Sequence, residues 1–311
     1  MRSARVTVGE SLRRAEEAFA SACLHFGHGT HNAADEAAWL VAHATRIPHE
    51  RLGASLARPL TPSQQAKLSR LVSQRVRRRV PLAYLLREAW LGEHRFYVDE
   101  RVIVPRSYIA ELLRERLAPW AGEPSRVTRA LDMCTGSGCL AVLLALAFPR
   151  ASVDAVDVSP GALAVARRNV AMYRLRSRAR LVRSDLFRSL HAAPYDVIVA
   201  NPPYVDARAM KTIPPEYRRE PRVALAGGED GLRFVRSILA EARPFLRPGG
   251  LLIVETGRHR RELERAFPRT PFTWLETSAG DGLVFLLRRE ELPARPEEVQ
   301  SRPKPTKRPP R

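Results

Sequence analysis

Residues 129–147 read RALDMCTGSGCLAVLLALA, which is a short apolar strand, a glycine-containing turn and an apolar helix in that order. Gly136 and Gly138 allow a tight turn that brings the backbone close to a ligand, and the helix that follows opens with free N–H groups. A lone G-x-G is weak evidence, because any tight strand-to-helix turn uses glycine. The next strand strengthens it. Within SVDAVDVS the strand Val153 to Val156 runs into Asp157, about the ~20 residues downstream at which dinucleotide folds set an acid on ribose hydroxyls. Ser159 and Pro160 then start a helix, so Asp157 stands at the carboxyl end of its strand, where open α/β sheets bind ligands.

Outward from this unit the alternation continues. Strands are predicted near Leu131, at Leu181–Val182, Val197–Ala200 and Leu251–Val254, with helices from Gly138, from Pro160, around Phe234–Ala242 and from Arg258. Repeated βα units imply a doubly wound, mostly parallel α/β sheet. Two last strands, Phe272–Leu275 and Leu283–Leu287, have no helix between them and imply an antiparallel edge. Before the sheet, residues 1–85 read as a helical domain: Leu12, Ala15, Ala18, Phe19 and Ala22 recur at helical spacing, and Thr61-Pro62 opens a helix with Leu68, Leu71, Val72 and Val76 on one face. The opposite face, Arg70, Arg75, Arg77, Arg78 and Arg79, is expected to be solvated. Residues 86–106 alternate as WLGEHRFYVDERVIVPR does, predicting a linking β-hairpin with its turn near Asp99 and Glu100. Residues 107–290 hold the sheet, and 291–311, ending RPKPTKRPPR, read as a disordered basic tail.

Composition narrows the class. The apolar share of 45% is that of a globular chain. The longest uncharged apolar run, Leu140–Phe148, is about half of the ~20 residues a membrane span needs, and no cleavable apolar block follows the charged N-terminus. Cys23, Cys134 and Cys139 are odd in number and never spaced as CxxC, which excludes a disulfide framework or four-cysteine zinc site and suits a reducing cytoplasm. His25, His28 and His31 lack a carboxylate or cysteine at ligand spacing, so no metal is expected. Lys+Arg minus Asp+Glu is 52 − 33 = +19. Such a surface attracts polyanions, making RNA a candidate partner, although a GC-rich genome, encoding arginine wherever a cation will do, produces the same preference.

The chemistry lies in two stretches. An acid opening the glycine loop, Asp132, either caps the turn or holds an amino group such as that on the methionyl end of S-adenosylmethionine. Asp185, after the third strand, can take an adenine amino group. Three acids in order at three successive strand ends select this cofactor over a nicotinamide. The second stretch is VIVANPPYVDA, where an apolar strand runs into Asn201-Pro202-Pro203-Tyr204. The prolines lock the backbone and remove two donors. The Asn201 side-chain oxygen and the Pro202 carbonyl can then each accept one N–H of a planar NH₂ group, with the Tyr204 ring stacked on its plane.

DxxTGSG, Asp157, Asp185 and NPPY in this order resemble the class I (Rossmann-like) methyltransferases that act on planar nitrogens. The hairpin EHRFYVDERVIVPR is similar to that of the protein N5-glutamine methyltransferases, a likeness that extends over nearly all of the chain. Two branches are familiar, acting on release factors or on large-subunit ribosomal protein L-three. GHGT, AWLGEHRFYVDERVIVPRS and LDMCTGSGC look like the second, whereas the release-factor branch has glycine at the place of Cys134 and continues its VPR with Pro-Glu-Thr. The resemblance implies that residues 1–85 recognise substrate and that Thr135, Gly136, Gly138, Asp157, Asp185 and Asn201 contact the cofactor or its surroundings. It implies that Asn201, Pro202 and Tyr204, with Pro203, hold the target amide while Phe96 and Arg106 close over the site. The rivals are an adenine-amino nucleic-acid methyltransferase and a ribosome-assembly factor without turnover.

Overall fold

The computed structural model describes residues 6–191 and 194–293, and the chain divides into two compact units. The tail expected from 291 starts later, since Arg289–Glu291 form a 3-10 turn and Leu292 is buried in the core; the rest of it, from 294 onward, lies outside the described residues. The first unit comprises the chain up to Arg106 together with a later segment, Thr212–Arg222. Its helices are α1 (Val8–Ser21), α2 (Ala33–Thr45), α3 (Pro62–Arg78) and α4 (Leu82–Leu86), packed around Phe19, Leu40, Val41 and Leu71. Thr61 caps α3 as its sequence predicts: the hydroxyl accepts the Gln64 N–H, and the Gln64 side chain accepts the Thr61 N–H.

Two sequence expectations fail in this unit. The hairpin is β1 (Ala89–Leu91) paired with β2 (His94–Phe96), so it turns at Gly92-Glu93 and not at Asp99-Glu100. Gly92 takes φ +59, the left-handed geometry a tight hairpin turn demands, while Asp99 binds Arg101 within its own loop. Arg75 is not solvated. It is 0% exposed, and its guanidinium donates to Glu36 at 2.6 Å and to Glu216 at 3.3 Å. Arg79 also reaches Glu216, at 3.2 Å. Helical spacing put both arginines on the polar face, and the acids that pair with them come from elsewhere in the chain.

The second unit is the α/β layer, with its sheet running β5-β4-β3-β6-β7-β9-β8. These strands are β3 (Arg129–Met133), β4 (Ser152–Asp157), β5 (Ala179–Arg183), β6 (Tyr195–Ala200), β7 (Leu246–Glu255), β8 (Thr273–Thr277) and β9 (Gly280–Arg288). β3 to β7 are parallel, and β9 lies antiparallel between β7 and β8, giving the expected antiparallel edge. The helices are α5 (Ile109–Arg114), α6 (Cys139–Ala147), α7 (Pro160–Met172), α8 (Ala209–Thr212), α9 (Arg233–Glu241) and α10 (Arg260–Ala266). The apolar run that is too short for a membrane is α6, buried almost all round. No helix of the described residues is long and apolar enough to cross a membrane. Strand order reverses between β3 and β6, so the carboxyl ends of these two strands flank the crevice in which such sheets bind ligands.

Candidate active site

Strand register brings the two informative stretches together. Asp132 pairs with Val199 and Met133 with Ala200 across β3 and β6, so Asn201 leaves its strand beside Cys134, about one strand spacing (~4.8 Å) away. On the other side Met133 pairs with Val156, which brings Asp157 alongside the same loop. Asp185 follows β5, whose Arg183 pairs with Asp157.

The glycine loop is held from within. Asp132 is fully buried, and its Oδ2 accepts the Thr135 hydroxyl and, at 2.9 Å, the Ala141 N–H. Its Oδ1 has no hydrogen-bond partner among the described residues. The two expectations for this acid therefore divide between its oxygens: one caps the turn, the other is unclaimed. Burial pushes the carboxyl up to about 7, only partly offset by Thr135 and Ala141, and the Asp157 charge adds to the rise. Asp157 accepts the Gly136 N–H at 2.9 Å and the Ser159 N–H at 2.8 Å, and burial raises its pKa above the ordinary carboxylate value. Asp185 is exposed and paired with Arg188 at 2.9 Å.

Gly138 takes φ +79, and a Cβ there would lie 3.0 Å from the Ala166 side chain on α7, so this residue admits both the turn and the helix packing. Cys134 takes φ +62, a left-handed geometry costing a non-glycine residue roughly 1–2 kcal/mol. That geometry explains the glycine of the wider pattern. Burial, followed by the charges of Asp157, Asp132 and Asp185, holds the Cys134 thiol well above its usual pKa.

In the second stretch Pro202 and Pro203 are buried, while Asn201 and Tyr204 are half-buried. No described residue hydrogen-bonds the Asn201 side chain or the Pro202 carbonyl. Tyr204 is fixed at both ends: its carbonyl accepts His259 Nε2–H at 2.8 Å, and its hydroxyl reaches Glu255 Oε1 at 3.4 Å.

Glu255, which ends β7, escaped sequence reasoning. It is 1% exposed, and its Oε2 accepts the Ser107 hydroxyl at 2.7 Å and the Tyr108 N–H at 3.0 Å. Burial raises it to about 7, against the lowering effect of Ser107, Tyr108 and Tyr204. Its signal was in the sequence: LLIVETG, like RALDM and AVDVS, is an apolar strand carrying an acid at its carboxyl end.

Phe96 and Arg106, expected to close over the site, both belong to the first unit. Phe96 is 0% exposed and lies on the buried side of β2. Arg106 donates through both terminal nitrogens to Glu220 at 2.6 Å, and its guanidinium lies 5.1 Å from the Tyr217 ring centroid.

A mostly parallel seven-strand sheet with an acid-lined glycine loop beside NPPY defines a class I methyltransferase, and S-adenosylmethionine is the methyl donor of that class. The family model "Methyltransferase small domain" matches residues 110–214, and "PrmC N-terminal domain" matches residues 10–86. The chain is 52% identical over 286 residues to the ribosomal protein uL3 glutamine methyltransferase of Bordetella pertussis, covering 92% of this chain and 96% of that one. It is 51% identical over 295 residues to the protein of the same name from Burkholderia pseudomallei, covering 93% and 96%. With that of Neisseria meningitidis it shares 50% over 286 residues, covering 92% and 94%. The chain belongs to the family of ribosomal protein uL3 glutamine methyltransferases.

Proposed function

We propose that this protein transfers a methyl group from S-adenosylmethionine to the side-chain amide nitrogen of a glutamine in ribosomal protein uL3, the substrate its relatives are named for. The observation that carries this reading is the register of β3 against β6, which sets Asn201 beside the glycine loop. On the cofactor side, the orphaned buried Oδ1 of Asp132 fits a cationic amino group, Asp157 fits ribose hydroxyls and Asp185 an adenine amino group. The backbone of Thr135, Gly136 and Gly138 lines the loop between them. Bound there, the cofactor supplies an electrophilic methyl group.

The chain's own residues do the rest. An amide nitrogen is a poor nucleophile because its lone pair is delocalised, so positioning and exclusion of water must supply most of the rate. Asn201 and the Pro202 carbonyl each accept one N–H, with the Tyr204 ring against the amide plane. After one transfer a single N–H remains, and leaving a buried acceptor unpaired costs about 1–3 kcal/mol, so the product is monomethylglutamine. Glutamate offers no donor at neutral pH and is refused. The methylated amide loses its proton to water, with no strong base needed.

The partner in this reading is uL3 in the cytoplasm, as free protein or within an assembling ribosome. Between Asp157 and Asp185 the chain has seven arginines and no acid. Of these, Arg167, Arg174, Arg176 and Arg183 are exposed, with no carboxylate at ion-pair distance among the described residues. They line α7, the turn after it and the edge strand β5, a surface suited to RNA phosphates.

The test is transfer of labelled methyl to purified uL3, to a ribosomal precursor, to a release factor and to RNA, with mass spectrometry of the product. Monomethylglutamine in uL3, with steeper salt dependence on the precursor than on free protein, is expected. Label in RNA, on a release factor, or on a glutamate overturns the assignment, and equal salt dependence removes the RNA contact.

A further inference from the structure

Glu255 belongs to neither the glycine loop nor NPPY, yet it joins two pieces of the second unit. Its Oε2 takes the Ser107 hydroxyl and the Tyr108 N–H, and Ser107 Oγ in turn accepts the Ile109 N–H at 3.3 Å, so this oxygen is tied to the start of α5. Its Oε1 faces the Tyr204 hydroxyl. The remaining walls around Tyr204 leave the ring little freedom. A Cβ on Gly257 would sit 2.9 Å from two of its ring carbons, and one on Gly227 would sit 2.7 Å from its Cα. The His259 ring holds its carbonyl. For a half-buried tyrosine boxed on its ring and its main chain, the position of the phenol end remains to be set, and the carboxylate on β7 addresses that end.

We propose that Glu255 is a positioning residue for methyl transfer: anchored by Ser107 and Tyr108, it holds the Tyr204 hydroxyl and so sets the plane on which the target amide is stacked. This rests on the reading of Asn201–Tyr204 as the amide holder. Burying a carboxylate without a cation is costly, and the bonds to Ser107 and Tyr108 alone would be served as well by a neutral side chain. Three neutral donors converging on two oxygens, one of them the motif's tyrosine, are what an acid at this position provides. The sequence Arg106-Ser107-Tyr108, where the release-factor branch has Pro-Glu-Thr after its arginine, supplies the hydroxyl that anchors it.

The geometry makes separable demands. In Glu255→Gln the amide oxygen keeps Ser107 and Tyr108, and the NH₂ faces Tyr204, whose hydroxyl then accepts in place of donating; the link survives with its polarity reversed. Glu255→Ala loses it. Tyr204→Phe loses it from the other side while keeping the ring.

The experiment is steady-state methylation of purified uL3 by the full-length protein, with cofactor affinity by calorimetry for each variant. For Glu255→Ala a ten- to hundredfold loss of kcat is expected, with KM for uL3 and cofactor affinity within threefold of the parent. Glu255→Gln should stay within about threefold of the parent in kcat. Tyr204→Phe should lower kcat, and Glu255→Ala should lower it no further in the Tyr204→Phe background, because coupled residues are non-additive. Should Glu255→Ala fail to fold, Ser107→Ala takes its place in the same cycle, with a smaller loss of kcat. Additive losses, or a cofactor affinity that falls in step with kcat, overturn the proposal and leave Glu255 a purely structural acid. Full turnover in Asn201→Ala would overturn the amide-holder reading itself, and this proposal with it; loss of turnover there with additive Glu255 effects would overturn this proposal alone.

Discussion

Both units bury carboxylates; in the second, Asp154 is paired with Arg180 and Arg129, but the two acids at the carboxyl edge of its sheet are treated in the opposite way from those of the first unit. In the first, Glu36, Glu216 and Glu220 are each met by guanidinium groups of the same unit: Arg75 between Glu36 and Glu216, Arg79 on Glu216, Arg106 on Glu220. Burial works to raise Glu220, but His28, whose Nε2 lies 3.6 Å away, and the hydrogen-bonded Arg106 guanidinium hold it down at about 2. Glu216 likewise ends below its ordinary value, through main-chain donors and the charges of Arg79 and Arg75. In the second unit, Asp132 and Glu255 sit at the carboxyl edge of the sheet with hydroxyl and N–H partners only, and both rise to about 7. An acid that only holds a fold together finds its countercharge within the chain. One that lacks it is costly to keep, and is explained by a group that arrives from outside or by a reactive side chain it must hold.

The largest effect should come from breaking the paired side. Arg75→Met leaves Glu36 and Glu216 buried with their main cation gone, and removing one partner of a buried pair typically costs about 3–5 kcal/mol. Urea unfolding should report a loss of that order, whereas Asp132→Asn should not destabilise the ligand-free protein. If the two cost the same, the contrast between the arginine-paired acids and those at the carboxyl edge of the sheet is not real.

Next in size is the pH dependence on the unpaired side. Glu255 is raised from 4.5 to about 7, so between these values the folded protein binds a proton that the unfolded chain has released. Its stability contribution is therefore intact below about 4.5 and declines as pH rises to 7, by up to roughly 3 kcal/mol. The difference in unfolding free energy between the parent and Glu255→Gln should fall along this curve. A difference that rises with pH would mean that Glu255 has a cation partner after all.

The smallest of the three sharpens the assignment of the acids. Asp157 accepts two main-chain N–H groups and keeps lone pairs for a ligand hydroxyl. Losing such a charge-assisted bond costs about 1.5–3 kcal/mol, so Asp157→Ala should weaken cofactor binding roughly ten- to a hundredfold by calorimetry. Unchanged affinity in the folded variant would remove Asp157 from the site.

What the sequence determined by itself is local. Strand and helix periodicity, the Thr61 cap, the glycine loop, the ordered acids and NPPY all depend on neighbours a few residues apart, and the parallel sheet with its antiparallel edge follows from the order of those elements. Only the tertiary structure decided which charges are paired. Arg75 reads as a surface residue until Glu36 and Glu216, distant in sequence, close on it. Nothing in IPPEYRREPR indicates that the segment after NPPY packs with the first unit. The hairpin turned at Gly92 because backbone geometry favours glycine there, although Asp99-Glu100 is the more polar pair. Glu255 gained its place opposite Tyr204 from strand order, since β6 and β7 are neighbours separated in sequence by α8 and α9. Side-chain periodicity reports which face of an element is apolar; which partner that face or its ends will meet is set by contacts between distant parts of the chain.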